Sequence, residues 1–157
     1  MFYTGIIEGD ELLSVVPHRG KMFLLSRITT YDNDIKTLTG EYDITTDCLF
    51  YDPQLGGVPS WLSFELIAQC ISAVSGIDCK IRGKSPNPGF ILSVSSLELR
   101  KPLLPLGAVV TIKVAEETKL DAVSTFIGEV SLGEDTIGTG KLTIIDVEDL
   151  SIYQKGS

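Results

Sequence analysis

Two rhythms of apolar residues run through this chain, and the switches between them mark out its elements. Asp10-Glu11-Leu12-Leu13 reads as a short helical turn with an acidic start, closed off by Pro17. Residues 22–30 are an apolar run that predicts a strand buried on both faces. The Thr- and Tyr-rich stretch 35–44 predicts its partner strand, with Asn33-Asp34 as the turn. Residues 45–60 follow neither rhythm, and Pro53, Gly56, Gly57 and Pro59 make them irregular. They lead into the one long helical pattern, running from 61 to 77 or 78 with Ser60 as its N-cap and Leu62, Leu66, Cys70, Ala73 and Ile77 on one stripe. That helix is apolar nearly all round, which predicts burial on most of its sides.

A loop over 79–88 precedes four strand-like segments at 89–100, 108–117, 122–132 and 137–147. Pro102, Pro105, Gly107, Asp121 and the Gly133-Glu134-Asp135 turn separate them. Consecutive strands joined by short turns build an antiparallel sheet. The pattern therefore predicts an α+β fold in one domain over 1–157, with about six antiparallel strands wrapped around a single central helix. A helix buried on most faces also predicts a partner subunit covering part of the sheet.

Composition narrows the partners. With 157 residues, 43% apolar and 22% charged, the chain supports one sizeable core and is too apolar for disorder. Its 13 Lys and Arg against 21 Asp and Glu give a net charge of -8, which argues against nucleic acid or an anionic membrane as a bulk partner. Cys48, Cys70 and Cys79 fit no CxxC spacing, and their odd number suits a reducing compartment. One histidine and no thiol pair give no reason to expect a metal or cofactor. Glu8, Asp10 and Glu11 precede the first basic residue, Arg19, the wrong polarity for a signal peptide. No apolar run approaches the roughly 20 residues of a membrane span. A cytoplasmic protein is expected.

Within the helix, Glu65, Gln69 and Ser72 recur at i, i+4 and i+7 and form one polar stripe among apolar neighbours. No Lys, Arg or His occurs between Cys48 and Cys79, so Glu65 has no cation close in sequence, although Arg19 or Arg100 can reach it through the fold. A carboxyl in such surroundings is suited to general acid chemistry, although a structural carboxylate bonded to backbone fits the same pattern. His18, in Pro17-His18-Arg19-Gly20, is the sole imidazole, so any neutral-pH histidine base has to be His18. Gly56-Gly57-Val58-Pro59 ahead of the helix offers backbone N–H groups suited to a developing enolate oxygen. Lys80, Arg82 and Lys84 form a small basic cluster, and Trp61 and Phe64 read as core.

Taken together, the motifs resemble a known family. PHRGKMFLLSRI (17–28) resembles the PHR-x-P-FLLVDR opening of hotdog-fold 3-hydroxyacyl-acyl-carrier-protein dehydratases of the FabZ type. VPSWLSFELIAQ (58–69) resembles their P-G-V-L-I-x-E-x-x-AQ helix start, and RKPLLPLG (100–107) their KRPVVPGD connection. His18-Arg19-Gly20-Lys21-Met22, Val58-Pro59-Ser60-Trp61 and Gly89-Phe90-Ile91-Leu92 match more closely the divergent branch of aryl polyene clusters, the ApeP-like proteins. One position departs. Where the usual dehydratase has its catalytic His in GHFPG, fourteen residues before the Glu, this chain has Tyr51 in Phe50-Tyr51-Asp52-Pro53.

The resemblance implies a hotdog fold, a dimer with sites at or near the subunit interface, and loss of water from a 3-hydroxyacyl thioester. It marks Glu65 as the acid, with His18 as the candidate base, and Tyr51, Gly57, Val58, Trp61, Gln69, Gly89 and Phe90 as substrate-binding positions. An acidic acyl carrier protein is the implied partner, so an acidic body needs a local basic face, for which Lys80, Arg82, Lys84, Arg100 and Lys101 are candidates. Two alternatives stay open: a weakly or non-catalytic hotdog subunit that pairs with an active dehydratase, favoured by Tyr51, and an acyl thioesterase on the same fold.

Overall fold

Side-chain alternation sets the architecture. A computed structural model of the protein describes residues 2–3, 5–16, 23–83 and 90–146. Its strands are β1 (Phe2–Tyr3), β2 (Arg27–Asp32), β3 (Thr37–Asp43), β4 (Gly57–Pro59), β5 (Phe90–Leu99), β6 (Leu103–Pro105), β7 (Val109–Leu120), β8 (Val123–Leu132) and β9 (Asp135–Asp146). On β7, Val110, Ile112 and Val114 are buried while their neighbours face outward, and on β8 Ser124, Phe126, Gly128 and Val130 do the same. This period-2 pattern gives the sheet one apolar face. Seven strands form that sheet in the order β1-β2-β3-β7-β8-β9-β5, all antiparallel, and β4 pairs with β6 as a separate small ladder.

Across the apolar face runs α2 (Ser63–Ile81), entered through a 3-10 turn at Ser60–Leu62. No proline interrupts it, and Leu66, Ile67, Cys70, Ile71 and Val74 are buried along it. Each large aliphatic side chain contributes roughly 1.5–3 kcal/mol by leaving water. Glycines on the sheet set how closely the helix lies. Gly128 and Gly140 are cross-strand neighbours, and Ile67 rests in the trough between them; a Cβ at Gly128 would sit 2.5 Å from Ile67 Cγ2. After α1 (Gly9–Leu13) the Val15-Val16 segment closes on α2 from another side. There Gly76 meets the backbone so closely that a Cβ would lie 1.9 Å from the Val15 carbonyl oxygen. The far end of α2 is tied by charge: Lys36 Nζ lies 2.6 Å from Asp78 Oδ1, and Arg82 pairs with the other oxygen. Burial pushes the Asp78 carboxyl up, but Lys36, Asn33 and Arg82 together outweigh it and hold the group below its ordinary range.

Several sequence expectations change here. The apolar run 22–30 is a strand only from Arg27 onward; residues 23–26 are irregular although Leu24 and Leu25 are buried, because their backbone N–H groups go to a side chain, as shown below. Ser60 is a buried residue of the 3-10 turn with no side-chain cap bond, so it is not the N-cap, and the helix continues past 78 to Ile81. Trp61 is 46% exposed rather than core, because it lies on the turn before the helix enters the sheet. With that turn, Ser60–Ile81 is long and apolar enough to span a bilayer by composition, contrary to the sequence reading, yet most of it is buried against the sheet as the core helix.

Candidate active site

Glu65 sits in the first turn of α2 and is partly buried, and Gln69 one turn later is fully buried. Spacing of i, i+4 places the two side chains together, and Gln69 Nε2 donates to Glu65 Oε1 at 3.2 Å. The other end of the same amide accepts two backbone bonds, from Leu24 N at 3.0 Å and Leu25 N at 3.3 Å. These N–H groups would otherwise belong to a ladder, so the irregular segment 23–26 and the polar residue in the helix satisfy one another. One amide thereby joins the segment that follows Pro17–Met22 to the turn that carries Glu65.

The small ladder brings a third segment to the same end of α2. Val58 opposes Leu104, the Ser60 N–H donates to the Pro102 carbonyl at 2.9 Å, and the Leu106 N–H donates to the Gly56 carbonyl at 2.9 Å. Gly57 is the only residue that fits there, since a Cβ would lie 2.2 Å from the Leu104 carbonyl oxygen. Residues 52–57 close on themselves. Asp52 Oδ1 accepts from the Gln54 N–H at 2.9 Å, its backbone carbonyl accepts from Gly56 at 2.8 Å and more loosely from Gly57 at 3.4 Å, and its own N–H donates to the Gly57 carbonyl. Tyr51, just before this loop, packs against the core. The segments 17–28, 58–69 and 100–107 thus converge around the start of α2, through 23–25, 57–69 and 102–106.

The remaining candidates divide. Trp61 stacks edge-on with Phe50 at 5.0 Å between ring centroids, and Phe50 is itself 38% exposed, so the pair forms an apolar surface beside the helix start. Phe90 begins β5 and pairs with Asp146 through the backbone. His18, Gly89 and Lys84, with Arg19, lie outside the described residues. The basic candidates do not share one face of the chain. Lys80, whose Nζ donates to Ser14 Oγ at 3.2 Å, and Arg82, paired with Asp78, stand at the C-terminal end of α2. Arg100 and Lys101 adjoin Pro102 at its N-terminal end, where Arg100 Nη1 reaches the Thr136 carbonyl at 3.5 Å. Nineteen helical residues, roughly 28 Å, separate the two sets.

Some groups carry no sequence signal. A cavity of about 590 Å³ beside the held segment is lined by Phe23, Leu24, Ser26, Tyr42, Cys48 and Leu49 among others. Tyr42 Oη and Ser63 Oγ are the buried side-chain polar atoms without a hydrogen-bond partner among the described residues. Burial pushes the Tyr42 phenol well above its ordinary range. Tyr42 belongs to no motif, and nothing in the 58–69 segment singles out Ser63, so only the fold reveals them.

Comparison with known proteins places this geometry. The model of the ApeP-like family, described as ApeP dehydratase, matches residues 11–155. A 3-hydroxyacyl-[acyl-carrier-protein] dehydratase FabZ of Chlamydia trachomatis is 23% identical over 147 residues, covering 91% of this chain and 94% of that protein. The FabZ of Bartonella quintana is 28% identical over 102 residues, which span 63% of this chain and 64% of the relative's length. Among solved structures, the dehydratase heterocomplex ApeI:P from Xenorhabdus doucetiae superposes with a TM-score of 0.78 at 22% identity, covering 86% of this chain and 90% of that one.

Proposed function

The chain belongs to the ApeP-like dehydratase family, and on that footing we propose that it removes water from a 3-hydroxyacyl thioester of an acyl carrier protein to give the trans-2-enoyl thioester. The observation that carries this reading is Glu65, partly buried at the start of the core helix and held there by Gln69. In the reaction His18 takes the α-proton, and the electron pair moves toward the thioester carbonyl. The Gly57 N–H, whose own bond to the Asp52 carbonyl is loose at 3.4 Å, stabilises the oxygen that gains charge. As the pair returns to form the Cα–Cβ double bond, the Cβ–O bond breaks and Glu65 protonates the leaving hydroxyl, releasing water. Transfer of the proton from His18 back to Glu65 resets the site. No cofactor enters this balance.

His18 is assigned by being the sole imidazole and by its motif, whose continuation is bonded to Gln69. His18→Ala is expected to lower enoyl-thioester formation about a hundredfold, within the range of a lost general base, when followed spectrophotometrically on a 3-hydroxyacyl carrier substrate. Undiminished turnover removes His18 from the mechanism. A second reading, a non-catalytic subunit working beside an active dehydratase, is favoured by Tyr51 at the position of the usual His. It predicts that His18→Ala and Glu65 variants are silent while the assembled complex stays active.

Assembly through β5 fits either reading. This ten-residue strand ends the sheet, is paired only with β9 among the described residues, and exposes Val94 to 44%. A long open edge is a template for another strand, and the structural relative is itself a heterocomplex. We assign the homodimer or heterodimer contact to this edge. Val94→Lys is expected to shift the sedimenting species from dimer toward monomer, and an unchanged dimer would put the interface elsewhere. For the carrier protein, a body of net charge -8 needs local cations, and Lys80 and Arg82 at one end of α2, or Arg100 and Lys101 at the other, supply them. A cytoplasmic location follows from such a partner.

A further inference from the structure

We infer that Cys48 is an oxidation site, converted by a hydroperoxide to the sulfenic acid, with Tyr42 as the donor that holds the added oxygen. The cysteines differ in access. Cys70 and Cys79 are buried, and burial pushes the Cys70 thiol far above its ordinary range, whereas Cys48 is half-buried and lines the cavity of about 590 Å³. Its own turn holds the sulfur in place. Cys48 Sγ accepts from the Thr45 N–H at 3.3 Å, lies 3.8 Å from Thr45 Oγ1 and donates to the Asp43 carbonyl at 3.3 Å.

The phenol beside it singles this sulfur out. Tyr42 is 4% exposed, and its Oη is closed off from solvent and has no hydrogen-bond partner among the described residues. Burial first, and the neighbouring Cys48 sulfur second, push this phenol up, so it keeps its proton and stays a donor. A free molecule in the cavity does not touch an atom that is closed off. An oxygen bonded to Cys48 Sγ does, because that sulfur stands against the phenol. The charged groups of the cavity select the oxidant. Asp43 is paired through both oxygens with Arg27, and Asp47 is exposed, so an uncharged hydroperoxide enters where an anion is not attracted.

With hydrogen peroxide, the deprotonated sulfur attacks one oxygen, an S–O bond forms and the O–O bond breaks. Hydroxide leaves with the bonding pair and takes up the proton released by the thiol, giving water; the sulfur loses the electron pair that the peroxide gains. Tyr42 then donates to the new oxygen while the Thr45 N–H still reaches the sulfur. Since Cys70 and Cys79 are buried, the thiol that later condenses with the sulfenic acid, forming a disulfide and water, is a small one from outside the chain.

The test treats the intact protein with hydrogen peroxide, removes the excess with catalase, traps sulfenic acid with dimedone and maps the adduct by peptide mass spectrometry. One adduct, at Cys48, is expected. Tyr42→Phe removes only the unpartnered hydroxyl, and delaying the dimedone is expected to show the sulfenic acid decaying about tenfold faster, the scale of one hydrogen bond to a charged group. No adduct at Cys48, earlier labelling of Cys70 or Cys79, or an unchanged lifetime in Tyr42→Phe overturns the inference. If that variant does not fold, labelled wild-type protein carries the test: the Tyr42 ring carbon bearing the hydroxyl is expected to shift on peroxide treatment and to stay in place in Cys48→Ala, and an unmoved wild-type resonance overturns the inference. None of these readouts involves dehydration, so the outcome is independent of Glu65 as the acid.

Discussion

Replacing Glu65 with Gln is expected to reduce enoyl-thioester formation by about three orders of magnitude, the middle of the range for loss of a general acid. The substitution is close to isosteric, and the new amide oxygen still accepts from Gln69 Nε2, so the local hydrogen bond and the buried Gln69 contacts persist. What disappears is the only acidic side chain in the first turn of α2, the group that gives its proton to the leaving hydroxyl. The loss therefore falls on kcat while KM stays near its wild-type value, the pattern of an interaction made only in the transition state. Retained turnover would transfer the chemistry to a partner subunit and favour the non-catalytic reading.

The largest effect on stability is expected at Gly76. Alanine is preferred over glycine inside a helix by about 1 kcal/mol, so propensity alone predicts that Gly76→Ala stabilises. The close approach decides otherwise. The added Cβ would lie 1.9 Å from the Val15 carbonyl oxygen and 2.7 Å from its carbon, and backbone atoms at both ends leave no flexible side chain to yield. Relief requires the Val15-Val16 segment to move away from α2, exposing Val15 and Val16, both now buried. Overpacking of this kind costs about 3 kcal/mol or more, so the net effect is a loss of about 2 kcal/mol and a melting temperature lower by roughly 4–8 °C for a chain of this size. Calorimetry reads it directly, and a raised melting temperature would refute the close approach. Because Val15 and Val16 lead into the His18 segment, activity is expected to fall as well.

The residues revealed the class of fold more readily than the pairing of its parts. A helix apolar on every side and strands separated by turn residues identified the central helix and the antiparallel sheet, because both signals are local. The β4–β6 ladder was not legible: Gly57 and Pro105 lie far apart in sequence, and three-residue strands carry no period. Leu24 and Leu25 looked like strand because burial on two faces says nothing about where a backbone N–H goes. Trp61 looked like core because a large aromatic in an apolar window usually is, yet it sits on the turn outside the sheet. Glu65 and Gln69 were legible as a polar stripe; that Gln69 faces Glu65 and two backbone donors at once was not. The basic residues were grouped by charge alone, and the length of α2 divides them.

The order of the strands also governs when the molecule can form. Thr37 opposes Ala115 and Asp43 opposes Val109, so completing the sheet joins stretches some 70 residues apart, and β5 has to wait for β9, whose Asp146 pairs with Phe90. Folds dominated by such distant pairings are slow, on the scale of milliseconds to seconds. During synthesis β2 and β3 emerge as a hairpin, then α2 emerges with no sheet to cover it, and β5 follows with neither edge paired. That interval, absent from the finished structure, is when another chain's strand competes with β9 for β5, and it is the stage at which the chain is most exposed to misassembly.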